Sequence, residues 1–164
     1  CWTQNRCALF RRLWRALYVI DMIEIIRENW GWVGIEPIEI IGSNEFGNFI
    51  IKDINGAFWR LCPEDVYCEI IAKSDEEYNS LLHNQEFIED WEMKNLVDYA
   101  KQLYGSLPTD KSYCLKIPGI LGGEYGGENI GTISTKELIS FSGYIGQQIQ
   151  NLPDGSQVEF RFTE

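Results

Sequence analysis

The stretch that decides the fold is Asn48 to Leu61, reading NFIIKDINGAFWRL. Two runs rich in β-branched and aromatic residues, Asn48 to Ile54 and Ala57 to Leu61, flank Asn55-Gly56. Asn-Gly between two such runs is a strong hairpin signal, and it fits a type I′ turn, whose twist matches that of the paired strands. The chain around this point is therefore read as antiparallel sheet. Pro37 to Ile41 is a candidate strand before the hairpin, joined to it by a turn over Gly42 to Gly47. After it, Pro63 breaks the strand because it has no N–H for a ladder. Val66 to Ala72 then resumes as a further strand.

Helical signals follow. Ser74 with Glu77 makes a capping box that opens a short helix near Asp75 to Leu82, interrupted at His83-Asn84. A longer helix runs from about Gln85 to Tyr104 and stops at Gly105. Met93, Leu96, Val97, Ala100, Leu103 and Tyr104 share one of its faces, while Phe87 and Trp91 fall opposite. The helix must then bend near Glu92, or its first turns must pack on another element. Tyr113 to Ile117 is strand-like and is paired with Ile130 to Ile133. Ser134 with Glu137 is read as a second cap, for a helix burying Leu138, Phe141, Ile145, Ile149 and Leu152 with close approach at Gly143 and Gly146. Pro153-Asp154-Gly155 turns into a last strand, Gln157 to Phe162. The sum is an α+β protein, mostly antiparallel sheet with helices packed on one side.

The 164 residues carry a formal charge of −11, which excludes general binding along a phosphate backbone and suits steering towards a basic partner. Residues 1–21 depart from that balance, with Arg6, Arg11, Arg12 and Arg15 against Asp21 alone. They read as an upstream basic extension, with 22–164 as one domain made of 22–72 and 73–164. A basic amphipathic helix continuing through Ile23 and Ile26 is the alternative. No run approaches the roughly 18 apolar residues needed to span a membrane. Five cysteines, an odd number, in a chain that is 45% hydrophobic read as free thiols in a reducing cytoplasm.

Candidate chemistry is sparse. His83 is the one histidine, so a Cys-His or Ser-His arrangement must run through it, and its neighbours Leu82 and Asn84 suggest a helix junction. Cys62, Cys68, Cys114 and His83 match no zinc spacing, and no metal or cofactor is expected. The loop from Pro118 to Asn129 holds Gly122-Gly123 and Gly126-Gly127 around Glu124 and Tyr125. Its paired glycines supply backbone angles closed to other residues. It lacks the lysine of a P-loop, and Glu124 and Glu128 repel phosphate. Trp59 reads as core, and Trp30 and Trp32 as either core or interface.

Several segments together resemble a known family. They are Asn44-Glu45-Phe46-Gly47-Asn48, Phe58 through Asp65, Phe87-x₃-Trp91-x-Met93, Tyr113 through Pro118, Leu121-Gly122-Gly123, Phe141-Ser142-Gly143 and Leu152 through Gly155. In this order they resemble the type VI secretion DNase-immunity family, whose immunity domain often follows a GAD-like segment; Trp30 to Pro63 is similar to that segment. The resemblance implies a non-enzymatic protein that binds and neutralises a co-encoded antibacterial toxin, typically a nuclease. The family supplies no residue pattern for the contact; since aromatic anchors and steering carboxylates carry such binding, Glu64, Asp65, Glu124, Tyr125, Glu128, Trp30 and Trp32 are the candidate partner-binding residues. The alternatives are a small hydrolase using the glycine loop with Cys114 or His83, and a regulatory or small-molecule binding module.

Overall fold

The computed structural model describes residues 17–153 and 155–159. The arginines of the basic extension lie outside the described residues. Helix α1 spans residues 17–30 and runs through position 22 without a break. Met22, Ile26 and Trp30, spaced by four, form its inner stripe and are completely buried. The Trp30 indole N–H donates to the Ile139 carbonyl at 3.1 Å, satisfying its one polar atom. Trp30 is thus core, and Trp32 stacks on it with ring centres 5.7 Å apart.

Four strands follow in an antiparallel sheet ordered as in the chain: β1 (Pro37–Ser43), β2 (Phe49–Asp53), β3 (Phe58–Cys62) and β4 (Tyr67–Ala72). The β2–β3 hairpin has the expected pairing, with Ile51 opposite Trp59, but not the expected turn. Gly56 has a φ of 83° while Asn55 does not take positive φ, as a type I′ turn requires. The reason is Asp53. Its Oδ1 accepts the N–H groups of Asn55 and Ala57, both at 2.9 Å, and its Oδ2 accepts the Trp59 indole N–H. That carboxylate builds a four-residue bulged turn instead.

Alternation sends Phe49, Ile51, Trp59 and Leu61 to one face, where they join α1 and Ile139 and Ile145 of α5 (Thr135–Ile149). Ile50 and Phe58 point to the other face, against α2 (Asp75–Leu81) and α3 (Gln85–Glu92) through Tyr78, Leu81, Phe87 and Trp91. The class is α+β, with the helices divided between the two faces of this sheet. Between β3 and β4 the chain turns at Val66, a β-branched residue held at a φ of 56° and buried in the first core.

The long helix expected from Gln85 to Tyr104 is two. It breaks at Met93, which takes a φ of 47°, and α4 (Lys94–Tyr104) leaves in a new direction. The break explains the opposed faces: Phe87 and Trp91 serve the sheet, whereas Val97 and Ala100 serve a separate core with Phe46, Tyr113, Leu115 and Ile130. Asn44 holds the corner, donating to the Trp91 carbonyl at 2.8 Å. At the start of α2 the Ser74 hydroxyl accepts from Glu77 N–H at 3.2 Å, and the Glu77 carboxylate returns to Lys73 N–H at 2.7 Å. Asn84 caps α3 through Phe87 N–H.

Strands β5 (Lys111–Leu115) and β6 (Ile130–Ser134) form a separate antiparallel pair. Ser134 makes no side-chain cap on α5, so the second expected capping box is absent. The first N–H of α5 is bonded to the Asp110 carbonyl at 2.9 Å, which ties the start of the helix to the chain before β5. Helix α5 buries Leu138 and Ile145 as expected, but Phe141 is 43% exposed and Leu152 beyond it 47%. Its close approach to α1 is real: a Cβ at Gly143 would lie 2.5 Å from the Asn29 carbonyl oxygen. Residues 157–159 form no strand, and the rest of that expected element lies outside the described residues.

Candidate functional site

Glu64 sits at the corner after β3, and the sequence reading placed it on the surface. It is buried, with 2% exposure. Its two carboxylate oxygens accept the Asn48 amide at 3.0 and 2.7 Å, and the Cys62 thiol donates to Oε2 at 3.2 Å. Beside it lies a void of about 20 Å³ bordered by Phe46, Cys114, Leu138 and Ser142. Burial in these surroundings outweighs the hydrogen bonds and the Arg60 guanidinium, and pushes the Glu64 carboxyl up to about 7.

A chain of polar contacts leads outward from this carboxyl. Asn48 Oδ1 accepts from Arg60 at 3.3 and 3.2 Å, and Arg60 pairs with Asp90 of α3 while lying over the Trp91 ring. The Arg60 side chain is 7% exposed and that of Asp90 is 66% exposed, so the chain ends at solvent. Among the described residues, no buried side-chain nitrogen or oxygen lacks a partner.

The neighbouring residue, Asp65, faces the other way and is half-buried. Its carboxylate accepts a hydrogen bond from the Tyr125 hydroxyl across sixty positions of sequence. Two of the expected contact regions, the corner after β3 and the glycine loop, are therefore one continuous surface. Burial first, then the bond to Asp65, push the Tyr125 phenol above its ordinary range. The bond crosses directly over Gly119, where a Cβ would lie 2.6 Å from the Tyr125 oxygen.

Within the loop the glycines do different jobs. Gly122 and Gly127 take φ values of 86° and 58°, as their expected role requires. Gly123 is needed for space, because a Cβ there would sit 1.8 Å from the Ile117 carbonyl oxygen. Asn129 staples the loop shut. Its Nδ2 donates to the carbonyls of Ile117 and Glu124 at 2.9 and 2.8 Å, and its Oδ1 accepts Ile117 N–H at 2.8 Å. The sequence reading missed this residue, although an asparagine closing a glycine-rich loop is a familiar signal. The side chains of Glu124 and Glu128 are exposed, and Tyr125 is 48% exposed.

The candidates thus divide. Asp65 and Tyr125 meet at the surface, on a loop that also exposes Glu124 and Glu128, and Asp90 lines a groove together with Tyr125. Trp30 and Glu64 belong to the interior, and Trp32 is half-buried behind Gly146. The residues weighed for catalysis do not assemble. His83 is exposed in the α2–α3 turn, with Nδ1 2.8 Å from the Asn79 carbonyl. Cys114 is buried on β5, where desolvation first and Glu64 second push its thiol up to about 11, away from a resting thiolate. Among the described residues no group of three or more potential ligands could hold a metal, and no helix is long and apolar enough to cross a membrane.

What the fold and this surface define is an α+β domain presenting a rigid acidic and aromatic face. Residues 72–146 match the family model described as T6SS immunity protein Tdi1, C-terminal. The matched span runs from the end of β4 into α5 and contains the whole glycine loop. This span is thus similar to the type VI secretion immunity family that the motifs resemble. No curated protein matches the chain.

Proposed function

We propose that this protein neutralises a type VI secreted nuclease in the cytoplasm by binding it and occluding its active or substrate-binding site. The observation that carries this reading is the joined surface of Asp65, Glu124, Tyr125 and Glu128, lying on a chain whose span 72–146 matches a type VI immunity family. A nuclease holds its substrate in a groove made positive to bind phosphates. A rigid surface carrying carboxylates has the complementary sign, which speeds encounter and fixes register. Tyrosine among those carboxylates supplies the apolar contact that dominates binding energy at interfaces. Residues 22–164 act as one unit in this proposal, supported by the first core, where Met22 and Ile26 pack with Ile139 and Ile145.

The test is co-expression with the neighbouring reading frame in a susceptible bacterium. Restored growth and intact chromosomal DNA are expected. A neighbour that is harmless, or stays lethal with this protein present, overturns the proposal. DNA left intact by the toxin alone overturns the nuclease part.

A further inference from the structure

The geometry points to the groove between the α3–α4 corner and the glycine loop as a socket for an arginine side chain of a basic protein partner. This rests on the toxin-binding reading and names the chemistry that the surface recognises. The groove encloses about 580 Å³. Tyr99 of α4 and Tyr125 of the loop line it at 37% and 48% exposure, and α3 contributes the carboxylates of Glu89, whose Oε1 accepts from Gln85 and leaves Oε2 open, and of Asp90, whose Oδ2 is held by Arg60. Lys94 is the one cation on its lining. The same elements carry further exposed acids, Glu86 and Glu92 on α3, Asp98 on α4, and Glu124 and Glu128 on the loop, against Lys116, which bonds the Glu128 carbonyl. The sign of the whole face therefore favours a cation.

Arginine fits better than lysine on chemical grounds. A planar guanidinium stacks on tyrosine and meets a carboxylate with two parallel hydrogen bonds, whereas an ammonium is a hydrated point charge. The protein already contains such an arrangement next door, where Arg60 lies over Trp91 and pairs with Asp90. The groove's sides are set before any partner arrives. Tyr125 is tied to Asp65, and the Met93 corner is held by Asn44. An incoming side chain then orders little beyond itself, which lowers the entropic cost of binding.

The probe is a capped Gly-Arg-Gly tripeptide, titrated into the labelled protein and followed by amide chemical shifts, with the norleucine counterpart as control. Saturable shifts clustered at Glu89, Tyr99 and Tyr125 are expected with arginine alone. Tyr99→Ala and Glu89→Lys should each weaken the response at least tenfold with dispersed, native spectra. Ile120→Ser, in a separate groove lined by Pro118, Ile120, Leu121 and Phe141, should leave it unchanged. Shifts that map elsewhere, that norleucine reproduces, or that survive both groove variants overturn the socket. So does equal loss in the Ile120 variant. Rescue from the toxin is scored separately, so protection that persists in the Tyr99 and Glu89 variants sinks the socket and leaves the immunity reading standing.

Discussion

Burial of Glu64 makes the stability of the fold depend on pH in a direction opposite to that of a salt-bridged carboxylate. Its carboxyl moves from an ordinary 4.5 to about 7 in the folded chain. Between those values the folded state binds the proton more tightly than the unfolded chain, so stability is highest below 4.5 and declines as pH rises through 7. With 1.36 kcal/mol per unit, the full window is worth about 3 kcal/mol, most of which falls between pH 5 and pH 8. The groups facing the carboxyl are Asn48, Cys62, Arg60 and Cys114. Both cysteines stay protonated across this range, because their thiols are pushed far up. Glu64→Gln removes the titration and keeps the shape. It also gives up one acceptor for the Asn48 amide, a cost that does not vary with pH. Urea unfolding of both proteins from pH 5 to pH 8 isolates the carboxyl, since every other titrating group cancels in the difference. The advantage of the natural protein over the variant should shrink by about 2–3 kcal/mol across that range. A difference that stays flat, or grows with pH, refutes the argument that desolvation dominates at this site.

Other outcomes follow from the loop and the thiols. Asn129→Ala removes three hydrogen bonds that close the loop and should cost about 1–3 kcal/mol in urea unfolding, with faster amide exchange at Ile117. Gly123→Ala should do more than shift stability, because its methyl group cannot coexist with the Ile117 carbonyl; the loss of the Tyr125 contact to Asp65 would appear as shifted Tyr125 ring resonances. Alkylation at pH 8 with mapping by mass spectrometry should leave Cys62, Cys68 and Cys114 unmodified until urea is added, as all three are buried with raised thiols.

How much of this was legible in the sequence depended on whether the cause was local. The β2–β3 hairpin, the cap at Ser74, the stop at His83-Asn84 and the pairing of β5 with β6 follow from neighbouring residues, and the structure has them. The turn type was misread because Asp53, outside the Asn-Gly pair, captures two N–H groups. The break at Met93 is visible in the opposed apolar faces, but which of two explanations applied depended on Asn44, which bonds the Trp91 carbonyl from 47 positions away. Glu64 was assigned to the surface by its charge. What buries it is Asn48 on the far side of the hairpin, an amide that offers hydrogen but no counter-charge. The partnership of Asp65 with Tyr125 is equally non-local, and only the folded chain joins those two regions.

Val66 separates the interior carboxylate from β4, and it sits where its own backbone does not want to be. A branched side chain at a φ of 56° costs about 1–2 kcal/mol, which glycine would recover. Glycine would also surrender a buried valine, worth about 1.5–3 kcal/mol. The two only partly offset, and the freedom of glycine in the unfolded chain costs about 0.5–1 kcal/mol more, so Val66→Gly should unfold at a modestly lower urea concentration. A melting curve would class the position as mildly sensitive. Yet Val66 packs beside Gly146 directly after Asp65, so the added backbone freedom of glycine should also be read at the Asp65–Tyr125 contact. Thermal robustness and aim are decoupled at this one residue, and a variant selected for the first can lose the second unnoticed.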